Sequence, residues 1–260
     1  MEIEVPHSHE ASGKGWKHYF FDFLMLFLAV YCGFLAENIR ERRVEDERAE
    51  VLAKNLYKEL IADSVVIQQM IEVRKIKEIE CSYFIAYVKD SNLTTLSNRF
   101  YKSFSWAFLQ TGKILFEPDD GIINQLKNSC ELRYFRSAAL QAAVGELNVA
   151  IANIRTRNER EYNMVEIYTR PFSIKFYDFE WLNALTKNGE LEFTEAMLQN
   201  REVPINGSIP NIDKFDRKEA ENIASYYLLM LHSTRMAQYA RYTNSNHKLL
   251  EILRKNYHLE

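Results

Sequence analysis

The sequence predicts an all-α protein in which an N-terminal transmembrane helix continues into a bundle of long antiparallel helices. Three observations predict this fold class. Residues 19–36 are almost wholly apolar. Glycine and proline are scarce, with 8 and 5 in the 260 residues, so few turns are available and long helices are favoured over a sheet. Apolar residues also recur at three- and four-residue steps through most of the remaining chain, which is the period of an amphipathic helix.

The apolar segment of residues 19–36 reads YFFDFLMLFLAVYCGFLA. At about 1.5 Å per residue it reaches roughly 27 Å, close to the hydrocarbon thickness of a bilayer. A signal peptide would need a basic start and a small-residue cleavage site, whereas the tail before this segment has mixed charge and Glu37-Asn38-Ile39-Arg40 follows it. A surface helix of a soluble protein would show one polar face. We therefore predict an uncleaved single-span anchor.

The predicted anchor divides the chain into three regions: a flexible tail (residues 1–18), a transmembrane helix (residues 19–36) and a helical domain (residues 37–260). The domain is long enough to enclose one hydrophobic core. It begins with a stretch, residues 37–88, that contains neither glycine nor proline and whose first half carries dense mixed charge. This pattern is typical of a solvated helical stalk or coiled coil.

The later helices are predicted from apolar period, capping residues and turn residues. We predict helices over residues 96–110, 122–129, 134–169, 179–185 and 214–256, with a loop over residues 200–213. Asp119 or Asp120 is expected to cap the helix over residues 122–129, Pro171 to end the helix over residues 134–169, and Asp213 to cap the last helix. Residues 172–179 also have the composition of a brief strand, although no partner strand is evident.

The distribution of basic residues around the anchor predicts its orientation. Two Lys or Arg precede the apolar segment within the tail and five follow it by residue 54. The positive-inside rule then places the large domain in the cytoplasm. Acidic residues interleave with the second group, so an external domain remains the alternative.

Asp22 is the charged residue inside the apolar segment, where an acid is costly and points to a pairing or functional role. One interpretation is an interfacial carboxylate that pairs with Lys17 or His18. The other is a carboxylate that faces further copies of the same helix. Ala29, Gly33 and Ala36 lie at spacings of four and three on one face, and small residues permit close helix contact. We therefore expect a homo-oligomer formed through this face, with a pore conceivable if the anchors ring Asp22.

Four segments resemble a family of uncharacterised bacterial single-span membrane proteins with a helical domain. They are residues 15–41 around the anchor, LAKNLYKELIADS, IINQLKNSCELRYF and the C-terminal ILRKNYHLE. The third is similar to a recurring QLKxSG block, with Cys130 at the position of its glycine. The resemblance implies an anchored helical domain in the bacterial inner membrane and supplies no activity.

Arg241 and His247 form the pattern R-x5-H, which resembles the R-x(4–6)-H signature of HEPN ribonucleases. In that family, whose domains are helical, the resemblance implies that Arg241 stabilises phosphate charge and that His247 transfers protons. Tyr242 follows the arginine, where that family usually has a polar residue. Surface residues on the final helix are the alternative explanation.

No other segment carries a catalytic or cofactor-binding motif. The chain has no glycine-rich phosphate loop and no G-x-S-x-G elbow. His7-Ser8-His9-Glu10 has metal-binding residue types but no second cluster, so we predict no metal and no cofactor. A net charge of −3 gives no electrostatic reason to expect nucleic acid. Cys81 and Cys130 are expected to be inert thiols, and the aromatic residues between 100 and 108 to pack in the core.

Taken together, these observations predict a membrane-anchored helical structural or interaction protein, oligomeric and acting as a scaffold or pore. Its expected partners are the lipid bilayer and other copies of the chain. An enzyme is the less favoured class. A membrane-tethered ribonuclease and an extracytoplasmic sensor-type bundle remain the alternatives.

Overall fold

The structure, a computed structural model, describes residues 15–109, 114–191, 193–199, 203 and 205–259. Every regular element in these residues is helical, which confirms the all-α prediction. The helices are α1 (Trp16–Asp90), α2 (Asn98–Phe108), α3 (Gly121–Asn128), α4 (Ala138–Met164), α5 (Arg170–Phe176), α6 (Phe179–Leu185), α7 (Phe193–Leu198), α8 (Arg217–Ser233) and α9 (Ala240–Tyr257). Short 3₁₀ turns cover Glu131–Tyr134 and Ile212–Lys214, and π-helical turns cover Val165–Thr169 and Thr234–Tyr239.

The chain divides into two compact units, residues 1–51 and residues 52–260. In the first unit the described residues from Trp16 onward form the beginning of α1, and residues 1–14 of the predicted tail lie outside the described range. An 18-residue window of α1 near the N-terminus has a mean hydropathy of 1.9, and none of that window is buried. Among the described residues, α1 is thus the helix long and apolar enough to cross a membrane. A core helix of a soluble protein would instead be mostly buried.

The second unit is built around three long helical segments: the rest of α1, the run from α4 to α5, and the run from α8 to α9. Side-chain contacts fix their directions. Lys248 donates to Glu146 at 2.7 Å, while Thr234 bonds to Glu161 further along. Residue numbers on α4 therefore rise as those on α8–α9 fall. This confirms the antiparallel packing of these helices.

An aromatic cluster fills the end of the unit near α2, α5 and α6. The ring of Phe84 lies 5.1 Å from that of Phe104, and Phe108 stacks on Phe172 at 4.9 Å. Tyr101 stacks on Trp181 at 5.2 Å. All of these side chains are buried, so the aromatic residues of α2 are core residues, as the sequence predicts.

Pro171 does not end the helix that begins at Ala138, contrary to the sequence prediction. The helix passes through a π turn and continues as α5 to Phe176. The Arg170 N–H donates to the Val165 carbonyl, five residues back, which gives the wider turn of a π-helix. A proline ring clashes with the carbonyl four residues before it in an α-helix, and the wider turn accommodates the ring. The possible strand over residues 172–179 is mostly helical for the same reason.

Asp213 does not cap the last long helix, so this prediction is also wrong. Asp213 lies inside the 3₁₀ turn, and Asp216 is the cap: its Oδ1 accepts the N–H groups of Lys218 and Glu219 at 2.7 and 3.1 Å. The contacts of Phe215 explain why α8 begins later than predicted. Its ring packs against Phe172 and Phe176, which holds the chain extended at 215 and places the helix start after it.

The turn before α3 is capped from two places. Asp119 Oδ1 accepts the Gly121 N–H at 3.2 Å, which agrees with the prediction that Asp119 or Asp120 caps α3. Asp120 makes no capping bond from its side chain. Glu59 on α1 accepts the next N–H, that of Ile122, at 3.2 Å. The end of α3 is therefore fixed to α1.

Candidate functional site

Two charged clusters connect α1 with the last long helix of the second unit. The first centres on Arg74, which is fully buried. Its guanidinium donates to both carboxylate oxygens of Glu161 on α4, at 2.8 and 3.2 Å. Glu161 is only 1% exposed. A buried pair of this kind is costly to desolvate, so its bidentate geometry and further hydrogen bonds are what make it tolerable.

Further hydrogen bonds complete this cluster. Arg74 Nε also donates to the Ile114 carbonyl and to the Tyr239 hydroxyl, at 3.0 and 3.1 Å. The hydroxyl of Thr234 donates to Glu161. Thr234 and Tyr239 are the first and last residues of one π turn, and the other π turn begins four residues after Glu161. Both helical irregularities thus lie beside the buried ion pair, and one of them supplies two of its partners.

Lys77 lies one turn away from Arg74 on α1 and is also fully buried. Its ammonium sits 4.7 Å from the centre of the Tyr227 ring, in the range of a cation–π contact. Burial lowers the pKa of Lys77 to about 7. Burial likewise raises the pKa of the neighbouring Cys81 thiol to about 12, which agrees with the prediction that this thiol is inert.

The second cluster lies at the surface and joins Glu78 on α1 to Arg235 and His232. Arg235 donates to both oxygens of Glu78 at 2.8 and 2.7 Å, and His232 Nδ1 lies 3.3 Å from the same carboxylate. Burial works to raise the pKa of Glu78, but the hydrogen bonds from Arg235 and His232 outweigh it and lower the pKa. The Glu78 carboxylate is therefore kept in its ionised form, and its negative charge is balanced by Arg235.

A groove of about 770 Å³ opens beside this cluster, between α1 and α8. Ile79, Leu228 and Leu229 contribute apolar lining, and Lys75 and Ser225 also line the groove. Lys75 is itself paired with Glu72 at 2.8 Å. The groove thus combines an apolar lining with charges that are already balanced within the chain.

The exposed side of α8 and of the π turn that follows it, Thr234–Tyr239, forms an apolar ridge next to this groove. Tyr226, Leu229 and Met236 are 55%, 63% and 57% exposed. On the other side of the ridge a second cleft of about 360 Å³ is lined by Met164, Tyr168, Asn222, Ile223 and Tyr226. Large apolar side chains clustered on a surface mark interaction sites more often than scattered ones do. We take this ridge and groove together as the candidate functional site, and call them the α8 surface.

Arg241 and His247 both lie on the exposed surface of α9. Both side chains are exposed, and His247 Nδ1 lies 3.7 Å from Glu251, one turn further along the helix. Six residues at about 100° each place the two side chains roughly 120° apart around the helix axis. Tyr242, between them, points into the core and bonds to Asp63. The ribonuclease hypothesis stays a prediction.

The predicted anchor residues all lie on the exposed surface of α1. His18 Nε2 lies 3.6 Å from Asp22, which is the pairing that one of the two interpretations expects. Ala29, Gly33 and Ala36 share a face, and a side-chain carbon added at Gly33 would meet no atom within 4 Å. Contact with other copies through this face stays a prediction.

Acidic residues gather at the turn before α3, but the described residues contain no group of three His, Cys, Asp or Glu side chains that could hold a metal ion. Arg155 pairs with Glu117 and Asp120 at 2.8 and 2.6 Å, so part of the acidic charge is already neutralised. The His7–Glu10 segment lies outside the described residues.

Sequence reasoning gave no reason to link Glu78 with its partners His232 and Arg235. It also missed Arg74, Glu161 and the groove. The available signal was a pair of charges, Arg74 and Glu78, at positions where the apolar period of α1 predicts buried residues. Such a pattern indicates buried ionic contacts, although it does not name the partners, which lie 87 and 157 residues away.

Comparisons with family models, curated proteins and solved structures find no match to this chain.

Proposed function

We propose that this chain is a membrane-anchored interaction protein, in which a single span holds a helical domain at the bacterial inner membrane. The observation that carries this proposal is the apolar window of α1, none of which is buried by the residues that the structure describes. An apolar helix left uncovered in water would aggregate, whereas a bilayer satisfies it. The unbroken α1 then leads directly into the domain.

Membrane extraction tests the anchorage. Full-length protein is expected to stay in the membrane pellet after alkaline carbonate washing, because a spanning helix is removed only by detergent. A variant lacking residues 19–36 is expected in the soluble fraction. Release of the full-length chain by carbonate would contradict a spanning anchor.

The proposed orientation places the domain in the cytoplasm, and reporter fusions after Glu260 test it. A fluorescent reporter that matures in the cytoplasm should be bright, and an enzyme active only outside should be silent. The opposite pattern would place the domain outside and show that interleaved acids obscured the positive-inside signal.

We further propose that the anchor self-associates through Ala29, Gly33 and Ala36, with Asp22 near the end of that helix. Cys32 is exposed beside this face and serves as a native cross-linking site once Cys130 is changed to serine. Gly33→Leu should reduce cross-linking in membranes, since a bulky side chain prevents close helix contact. Phe34→Leu, on the opposite face, keeps the apolarity and should not. Equal cross-linking in both variants would contradict this face.

A further inference from the structure

We infer that the α8 surface is a docking site for a second copy of this chain, related to the first by a two-fold axis. This inference rests on the proposed anchorage and names the partner that the domain itself contacts. A two-fold interface uses the same patch on both copies, so the patch must complement itself. The α8 surface contains both parts that such packing requires, a ridge and a groove.

The ridge is convex and the groove is concave, and both are lined with apolar side chains. The ridge presents Tyr226, Leu229 and Met236, and the groove is lined with Ile79 and Leu228. Helices pack by setting the side-chain ridge of one into the groove of the other. The ridge of one copy can therefore enter the groove of its partner, while the partner's ridge enters the groove of the first.

The charges of the α8 surface favour a neutral apolar occupant. Glu78 is neutralised by Arg235, and Lys75 is paired with Glu72 within the same chain. Nucleic acid and anionic lipid headgroups bind where unpaired Lys and Arg accumulate, which this arrangement does not provide. Contact with an identical surface brings together two patches of balanced charge, so self-association meets no like-charge repulsion.

The exposed apolar area is that of a weak dimer, which would form because anchoring in the membrane concentrates the copies. Four large side chains that are each more than half exposed, Ile79, Tyr226, Leu229 and Met236, offer on the order of 400 Å² of apolar surface per copy. Two copies would then bury about 800 Å², below the size of stable soluble complexes. Anchoring raises the effective concentration of the copies and so compensates for a small interface.

Site-directed cross-linking in the full-length chain tests this inference. Ser225→Cys places a thiol in the groove, in a background with Cys32→Ser and Cys130→Ser that leaves only the buried Cys81. A short bismaleimide should join two copies at this thiol. Val149→Cys, an exposed position on α4 away from the α8 surface, is the matched reporter and should give no comparable dimer.

Leu229→Glu should reduce the Ser225→Cys cross-linked fraction at least about tenfold, because an unpaired charge would be buried in the contact. Ile174→Glu is the matched control, since Ile174 is as exposed as Leu229 but lies on α5 outside the α8 surface. It should leave the cross-linked fraction unchanged. Circular dichroism of both variants establishes that each remains helical.

The possible outcomes distinguish failure of the inference about the α8 surface from failure of the proposed membrane anchorage. A homodimer that Leu229→Glu removes and Ile174→Glu retains supports the inference. Absence of the homodimer, or an adduct with a different protein in its place, overturns it. A chain found in the soluble fraction contradicts the proposed anchorage. The groove is then tested on that soluble chain at a concentration on the order of 1 mM, where absence of the cross-link would still overturn the inference.

Discussion

Gly207 lies against the buried ring of Tyr101. A side-chain carbon added at Gly207 would overlap three carbons of that ring. The ring cannot yield, because it stacks on Trp181 at 5.2 Å and its hydroxyl bonds to Ser208. Gly207→Ala should therefore destabilise the domain by about 1–3 kcal/mol through overpacking. Thermal or urea unfolding measures the change.

Gly145 provides the matched control for that substitution. It lies on the exposed side of α4, where an added carbon would meet nothing within 4 Å. Gly145→Ala should stabilise the protein by about 0.5–1 kcal/mol, because alanine has the higher helix propensity. Similar losses of unfolding free energy in Gly207→Ala and Gly145→Ala would show that contact with Tyr101 does not explain the effect of Gly207→Ala.

Cys130 occupies the left-handed backbone region, with φ of 57°. An L side chain is strained there and glycine is not, which gives a physical reason for the glycine found at this position of the resembling QLKxSG block. Cys130→Gly should raise the free energy of unfolding by about 0.5–1 kcal/mol. Asn211→Gly, at φ of 52°, should gain less because asparagine tolerates this conformation. A loss of stability in Cys130→Gly, measured by urea unfolding, would contradict the strain.

The raised pKa of Glu59 leads us to expect that the stability of the protein depends on pH. Burial, followed by the nearby charges of Asp119, Asp63 and Asp120, raises its pKa to about 7. The folded state therefore binds a proton more tightly than the unfolded state, whose glutamate pKa is about 4.3. The resulting stabilisation is complete below that value and is lost as pH rises through 7.

Glu59→Gln should remove this dependence while keeping an oxygen to accept the Ile122 N–H. At pH 8 the variant should exceed the wild type by about 1 kcal/mol, a value discounted for the partial exposure of Glu59. Near pH 4 the difference should vanish. Urea unfolding across this range measures it, with the exposed Glu190→Gln as a control expected to show no change. A wild type that becomes more stable between pH 6 and 8 relative to the variant would contradict the raised pKa.

At the scale of the helices, the sequence predicted what depends on period and composition. The uninterrupted helix to Asp90, the aromatic α2 and the short α6 are all present. The errors occur where a distant contact decides the outcome. Asp216 rather than Asp213 caps α8 because Phe215 is held by aromatic rings of α5, and Pro171 is accommodated by a π turn. Local sequence carries no information about those contacts.

The buried ion pair fixes how these helices align. Arg74→Met removes the bidentate partner of the buried Glu161 carboxylate and leaves it the longer contact with Arg157, at 3.8 Å, so this change should cost about 3 kcal/mol of unfolding free energy. Adding Glu161→Met should recover much of that loss, because two apolar side chains of similar volume need no partner. Unfolding of both variants measures the coupling between them.

Lys75→Met is the control for the ion pair. Lys75 pairs with Glu72 on the exposed side of the same helix, where an ion pair contributes little. Its loss should leave stability nearly unchanged. If the double variant of Arg74 and Glu161 proved as unstable as the single one, packing at this site, rather than the uncompensated charge, would explain the effect.

For the whole molecule, the sequence could predict an apolar N-terminal helix and a helical domain but not the position of the α8 surface. The α8 surface consists of residues from α1 and α8 that are separated by about 150 positions in the chain. Their apolar exposure becomes visible only once the fold has buried the other faces of both helices. Ile79 and Leu229 belong to apolar patterns that favour core positions, and the sequence alone does not mark them as exposed.

Removal of the anchor should separate folding from association. Residues 52–260 form their own compact unit with their own core, so a chain beginning at Glu37 should be soluble, helical and cooperatively unfolded by heat. It should also be monomeric at micromolar concentration, because tethering supplies an effective concentration on the order of 1 mM that free protein lacks. Analytical ultracentrifugation should show dimer only near that concentration, and Leu229→Glu should abolish it. A tight dimer of the shortened chain would mean that the α8 surface needs no membrane, whereas an unfolded chain would assign the anchor a part in the fold.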